Sequence, residues 1–135
     1  MHTTNYTDTF IAVAADCPVT EAEIPERKAS PSVAALQYEM ISAAPYTHTS
    51  DEVIFAVHAI RNGIPQREWK EARALFFSKG QACLRASPLS KRYGFGIHSD
   101  ARCRVALVPL GSKEYSSLAS DKALVQVKAM RSKRA

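Results

Sequence analysis

Apolar residues in the first half of the chain recur at helical spacing, and this pattern predicts three helices. They are predicted over residues 32–43, 51–62 and 65–78. The first carries one apolar stripe from Val33 to Ala43. Pro31 suits a first helical turn, and Ser30 before it is expected to act as the cap.

The second and third helices differ in how apolar residues are arranged around them. Thr49 and Glu52 form a capping box before a segment that is apolar nearly all round, which predicts a central, buried helix. Pro65 opens the third helix and Gly80 follows its end. Its core face is expected to consist of Trp69, Ala72, Leu75 and Phe76.

The second half of the chain changes to extended spacing. Residues 93–98 and 102–108 alternate around a turn and predict a β-hairpin, and residues 9–14 predict a buried strand. A short helix is expected at 112–119. Residues 124–130 fit a strand better than a helix, although the helical alternative stays open. The pattern predicts one α+β domain over residues 1–135, with three helices packed on a small antiparallel sheet.

Composition and cysteine usage point to an ordinary soluble protein. The 135 residues are 46% hydrophobic and 23% charged, which is typical of a globular domain. The longest apolar run, 53–57, is far too short to cross a membrane. Three scattered cysteines and the absence of a visible signal peptide favour a reducing compartment, so a cytoplasmic location is expected.

The charge is distributed unevenly along the chain. Residues 1–67 carry a net charge of −4 and residues 68–135 carry +9, for a total of +5. Two interpretations stay open: the halves neutralise each other in the folded domain, or the basic half forms an anion-binding face. The last five residues, 131–135, are expected to form a basic tail without fixed structure.

The basic segment 79–104 is the candidate contact face for an anionic partner, either nucleic acid or a phosphate-bearing ligand. Its cations alternate with aromatic residues such as Tyr93, a combination that suits phosphate contact and base stacking. The alternative is an ordinary solvated surface. The proposed anion-binding residues are Arg85, Lys91, Arg92, Arg102 and Arg104.

Two alternative functions stay open. The first is a small enzyme in which His98 is the base, Tyr93 or Ser87 a polar partner, and Arg85 or Arg92 a clamp for negative charge. The second is a protein-interaction subunit that uses the apolar helix 51–62. No metal-ligand spacing or cofactor motif is present. Gly94 and Gly96 are expected to permit close packing or a β-bulge.

Several motifs distributed over the whole chain carry a family resemblance. They include the opening His2-Thr3-Thr4-Asn5-Tyr6, Phe77-Ser78-Lys79-Gly80, Arg85-Ala86-Ser87-Pro88-Leu89, Gly96-Ile97-His98-Ser99 and Lys128-Ala129-Met130-Arg131-Ser132. With these motifs the chain resembles a small bacterial family catalogued only as a domain of unknown function. The resemblance implies a stand-alone bacterial protein and supplies no activity, ligand or catalytic residue.

Overall fold

The chain folds into a four-stranded sheet with helices on both faces. A computed structural model of the protein describes residues 1–133. The strands are β1 (Thr9–Ala12), β2 (Phe95–Ser99), β3 (Val105–Pro109) and β4 (Val125–Lys128). The α-helices are α1 (Val33–Ala43), α2 (Ser50–Arg61), α3 (Trp69–Phe76), α4 (Pro88–Lys91) and α5 (Lys113–Ala119), with 3-10 turns at Gln66–Glu68 and Leu84–Ala86. The predicted α+β class is confirmed, with five α-helices in the described residues instead of three.

The sheet is mixed, so the prediction of a purely antiparallel sheet is wrong. The strand order is β3-β2-β1-β4, with antiparallel β3–β2 and β2–β1 pairs and a parallel β1–β4 pair. The reason is the connection through α5. β3 runs in the same direction as β1, and α5 carries the chain back to the starting end of the sheet, so β4 must run parallel to β1.

The main hydrophobic core lies between the sheet and the helices α1 and α2. Ile11, Ile97 and Val105 project from neighbouring strands toward Ile41 of α1 and Val53 of α2. All five side chains are almost completely buried. The capping box of Thr49 and Glu52 starts α2 as predicted. The second helix is thus buried along one face, whereas Ile60 on its other side is 52% exposed, so the predicted all-round burial is wrong.

On the opposite face, α5 packs on the sheet through an aromatic pair that requires a glycine. The rings of Phe10 and Tyr115 meet edge to face, with 5.1 Å between their centroids. A Cβ on Gly96 would lie 2.6 Å from the Phe10 ring and 2.9 Å from the Tyr115 ring. Gly94 is crowded by Val19 in the same way and also has a φ of +80°. Both glycines therefore permit close packing, as predicted.

Three local predictions need correction. The third helix begins with the 3-10 turn 66–68, and its α-helical part is only Trp69–Phe76. Leu75, which was expected on its core face, is 74% exposed. The reason is that α3 packs on α2 at the domain surface, where no other element covers Leu75. Ser32, rather than Ser30, caps α1 by accepting a bond from Ala35 N–H.

The structure confirms the favoured prediction for the last segment, since residues 125–128 are a strand.

A buried carboxylate ties the N-terminal segment to the start of α2. Asp51 is 7% exposed. Its two oxygens accept hydrogen bonds from the Thr3 hydroxyl at 2.7 Å and from the backbone N–H and hydroxyl of Thr4 at 2.6 Å each. In return, the backbone N–H of Asp51 donates to Asn5 Oδ1. Residues 3–5 and the first turn of α2 therefore form one hydrogen-bonded unit that positions β1.

The end of the described chain lies against the loop that follows β1. The carboxylate of Asp16 accepts bonds from the backbone N–H groups of Ser132 and Lys133. The expectation of a tail without fixed structure also covers residues 134–135, which lie outside the described residues. Between residues 1 and 133, none of the helices combines the length and apolar character that a bilayer crossing demands.

We predict that Asp51→Ala lowers the free energy of unfolding by about 3 kcal/mol, because it removes three hydrogen bonds and leaves the buried Thr4 N–H without an acceptor. Urea unfolding followed by circular dichroism measures the change. Asp121→Ala is the matched control, since that carboxylate is exposed and accepts one local bond from Ala123 N–H. Equal unfolding midpoints for the two variants would contradict the role assigned to Asp51.

Candidate functional site

The fold separates the five proposed anion-binding residues into two groups. Arg85, Lys91 and Arg92 lie near the end of β1, where Ala14 N–H donates to Ser90 C=O. Arg102 and Arg104 lie in the β2–β3 turn, at the end of the sheet where β1 begins. Since β2 has five residues, the two groups are about 15 Å apart along the strands. The five residues therefore do not form one contact face.

Arg85 contacts the backbone of residues 128–130, in a segment that carries three cations outside the predicted site: Lys128, Arg131 and Lys133. Its Nε donates to Lys128 C=O at 2.7 Å, and its own C=O accepts from Met130 N–H at 2.8 Å. These bonds hold the segment that follows β4 against the 3-10 turn 84–86. We use the name basic cluster for Arg85, Lys128, Arg131 and Lys133.

Asp16 anchors the basic cluster without neutralising it. The backbone N–H of Lys133 is the main cause that lowers the pKa of the Asp16 carboxyl, with further contributions from Ser132 N–H and the charge of Arg131. The carboxylate thus binds the main chain of residues 132–133. The side chains of Lys128, Arg131 and Lys133 stay exposed to solvent.

Direct ion pairing does not neutralise the basic half. Within residues 1–133, the two ion pairs are Arg27–Glu39 and Arg67–Glu68. All thirteen lysines and arginines between residues 68 and 133 are therefore outside ion-pair distance of any described carboxylate. Direct pairing between the acidic and basic halves is therefore not the arrangement of the described residues. This geometry agrees better with the other interpretation, in which the basic half stays accessible to solvent.

The hairpin turn uses its acidic residue for a structural purpose. Asp100 Oδ1 accepts bonds from the backbone N–H groups of Arg102 and Arg104. Both arginine side chains are exposed. Asp100 therefore closes the turn between the two exposed arginines.

His98, Tyr93 and Ser87 do not converge on one site. His98 projects to the α5 face of the sheet, in the same row as Phe10. Tyr93 packs with Ala34 and Phe95 on the opposite face. Ser87 is buried and donates to Gln37 Oε1. The sheet therefore lies between His98 and its two expected partners.

His98 instead contacts Tyr46, a residue that the sequence analysis did not single out. The Tyr46 hydroxyl lies 2.8 Å from His98 Nδ1. Tyr46 has a φ of +56°, a backbone conformation that a bulky residue rarely adopts. Burial raises the pKa of the Tyr46 phenol, and the negative charges of Glu114 and Asp100 raise it further. The result is a titratable pair at the surface, next to two carboxylates.

Metal chemistry has no candidate in the described part of the chain. No group of three or more His, Cys, Asp or Glu side chains within residues 1–133 is placed to hold a metal ion. The three cysteines are free and half-buried.

These features define a small α+β domain with a basic cluster at one end of a mixed sheet. The chain belongs to a family of unknown function, DUF6157, whose model matches residues 1–135. Comparison with curated proteins finds no match, and the same holds for solved structures. The function must therefore be inferred from the geometry.

The raised pKa of Tyr46 predicts an alkaline loss of stability. The unfolded phenol ionises first, so the stability that this group contributes is complete below pH 10.0 and is lost as the pH rises further. Unfolding midpoints measured from pH 8 to 11 should fall less steeply for Tyr46→Phe than for the unmodified protein. Glu114→Gln should have an intermediate effect. Identical slopes for all three proteins would contradict this assignment.

Proposed function

We propose that the protein is a non-enzymatic binding module for partners that carry phosphate groups, and that the basic cluster is its contact surface. The observation that carries this proposal is the backbone contact of Arg85 with residues 128–130, which brings the segment carrying Lys128, Arg131 and Lys133 to Arg85 at one end of the sheet. Guanidinium and ammonium groups are the usual protein donors to phosphate oxygens.

The backbone contacts around the cluster support a pre-formed surface. Arg85 is held by two hydrogen bonds: its Nε donates to Lys128 C=O, and its own C=O accepts from Met130 N–H. The backbone N–H groups of residues 132–133 are held by the Asp16 carboxylate. A surface that is already ordered loses less conformational entropy when a ligand binds. The exposed side chains of Lys128, Arg131 and Lys133 can then contact successive phosphates.

The acid–base alternative has support from one observation, the Tyr46–His98 contact. It lacks the convergence of groups that a catalytic pocket requires, because Ser87 and Tyr93 lie across the sheet from His98. The interaction-subunit alternative is supported only by scattered apolar exposure, such as Ile60 on α2 and Leu75 on α3. We therefore favour the phosphate-binding proposal.

We predict salt-dependent binding of the protein to a fluorescein-labelled single-stranded oligonucleotide, measured by anisotropy. Four neutralised phosphates give a slope of log K against log salt of about −3 for a single strand. A duplex oligonucleotide and tripolyphosphate, as competitors, distinguish a nucleic-acid partner from a smaller phosphate ligand. Absence of binding to all three probes at low salt would overturn the proposal.

Two double variants locate the contact surface. Arg131→Gln with Lys133→Gln should reduce the salt slope by about 1.4 for a single strand, since each lost phosphate contact removes roughly 0.7. Arg102→Gln with Arg104→Gln removes the same charge at the other end of the sheet and should leave the slope unchanged. An equal loss in both variants would indicate only a response to net charge and would contradict the assigned surface.

A further inference from the structure

A second site is formed by an open cavity between α1, α2 and residues 81–88. The cavity has a volume of about 340 Å³, which is within the range of small-molecule pockets. Ile54, Val57 and Phe76 supply apolar walls. Its main polar lining residues are Gln37, His58, Arg61, Gln81, Cys83 and Ser87. The cavity is separate from the basic cluster and from the Tyr46–His98 pair.

Gln37 places an unused hydrogen-bond donor in this cavity. The side chain is 95% buried, since its exposed fraction is 5%. Its Oε1 accepts from the Ser87 hydroxyl at 2.5 Å, whereas its Nε2 has no partner in the described part of the chain. Every fully enclosed side-chain nitrogen or oxygen of residues 1–133 has a hydrogen-bond partner. The Nε2 group must therefore be reached from the cavity, where a ligand oxygen can accept its bond.

The charges around the cavity favour an anion. No carboxylate of the described residues lines it, and Arg61 contributes a positive charge at its exposed edge. Val33, the first residue of α1, also belongs to the lining, and the first turn of α1 contains no acidic residue. The partial positive charge at this helix start adds to that of Arg61.

The negative end of α2 does not cancel this preference, because its last carbonyls are already bound. His58 C=O accepts from the backbone N–H and the side-chain Nδ2 of Asn62. The C=O groups of Ala59 and Ile60 accept from Ile64 N–H and Gly63 N–H. These caps satisfy the acceptors that would otherwise repel a negative ligand.

The histidine adds an aromatic wall. Its Nδ1 lies 3.4 Å from Asn62 Nδ2 at the edge of the cavity. The His58 ring packs on Phe76 with 4.5 Å between ring centroids. A flat apolar body fits beside these rings.

We propose that this cavity binds a small organic carboxylate with a flat apolar body. The carboxylate accepts hydrogen bonds from Gln37 Nε2 and lies within the field of Arg61, and the apolar part packs against Ile54, Val57 and Phe76. This site is independent of the proposed phosphate-binding function, because no residue of the basic cluster lines it.

Benzoate and its neutral analogue benzamide test the proposal by ¹⁵N NMR titration of the intact protein. Benzoate should shift the side-chain amide signal of Gln37 and bind at least about tenfold more tightly than benzamide, which corresponds to about 1.4 kcal/mol. Arg61→Gln should weaken benzoate binding about fivefold or more and leave benzamide binding unchanged. Arg67→Gln, a neutralisation of an exposed arginine outside the cavity, should change neither.

Three outcomes would overturn the proposal. They are no shift of the Gln37 amide with benzoate, equal affinity for both probes, or equal effects of Arg61→Gln and Arg67→Gln. Benzoate shifts confined to Ser132 and Lys133 would place the anion at the basic cluster and would likewise reject the cavity. The Arg131→Gln, Lys133→Gln variant separates the two sites, since it should reduce the salt slope of oligonucleotide binding by about 1.4 and leave the Gln37 response intact.

Discussion

The buried carboxylate of Asp51 determines where the first strand of the sheet lies, and the sheet depends on that strand. β1 is the only described strand that pairs with both the β2–β3 hairpin and β4. A two-stranded hairpin alone is marginally stable in water, whereas three or more strands with a covered face can form a core. By holding Thr3 and Thr4 on α2, Asp51 connects the helical layer to the strand that completes the sheet.

Local signals in the sequence predicted elements well, and they failed where the outcome depends on neighbours in space. The capping box at Thr49 and the alternation of residues 125–128 depend on adjacent residues, so both could be predicted. Alternation shows which side chains share a face and carries no information about strand direction. The parallel pairing of β1 with β4 could therefore not be predicted. The apolar stripe that includes Leu75 likewise defines a helix face without showing that any element covers it.

The candidate site shows the same division between local composition and spatial arrangement. The excess of positive charge after residue 67 was evident from the sequence, and no described ion pair removes it. The spatial grouping of these positive charges was not evident from the sequence. Arg102 is closer than Lys128 to Arg85 along the chain, and yet Arg102 lies at the other end of the sheet. The concentration of cations in the last eight residues was the signal that could have indicated Lys128, Arg131 and Lys133. Tyr46 had no comparable signal, because its contact with His98 depends on a loop conformation.

Residues 81–92, which contain the 3-10 turn 84–86 and α4, connect the parts of the domain that carry its proposed chemistry. The Cys83 sulfur lies 3.3 Å from the Tyr6 hydroxyl of the N-terminal segment. Arg85 binds the end of β4, and Ser87 orients Gln37 in the cavity. A long helix or strand repeats one set of contacts along its length, whereas this segment of one 3-10 turn and one short helix directs successive side chains toward different neighbours. Its residues therefore contact different elements of the fold.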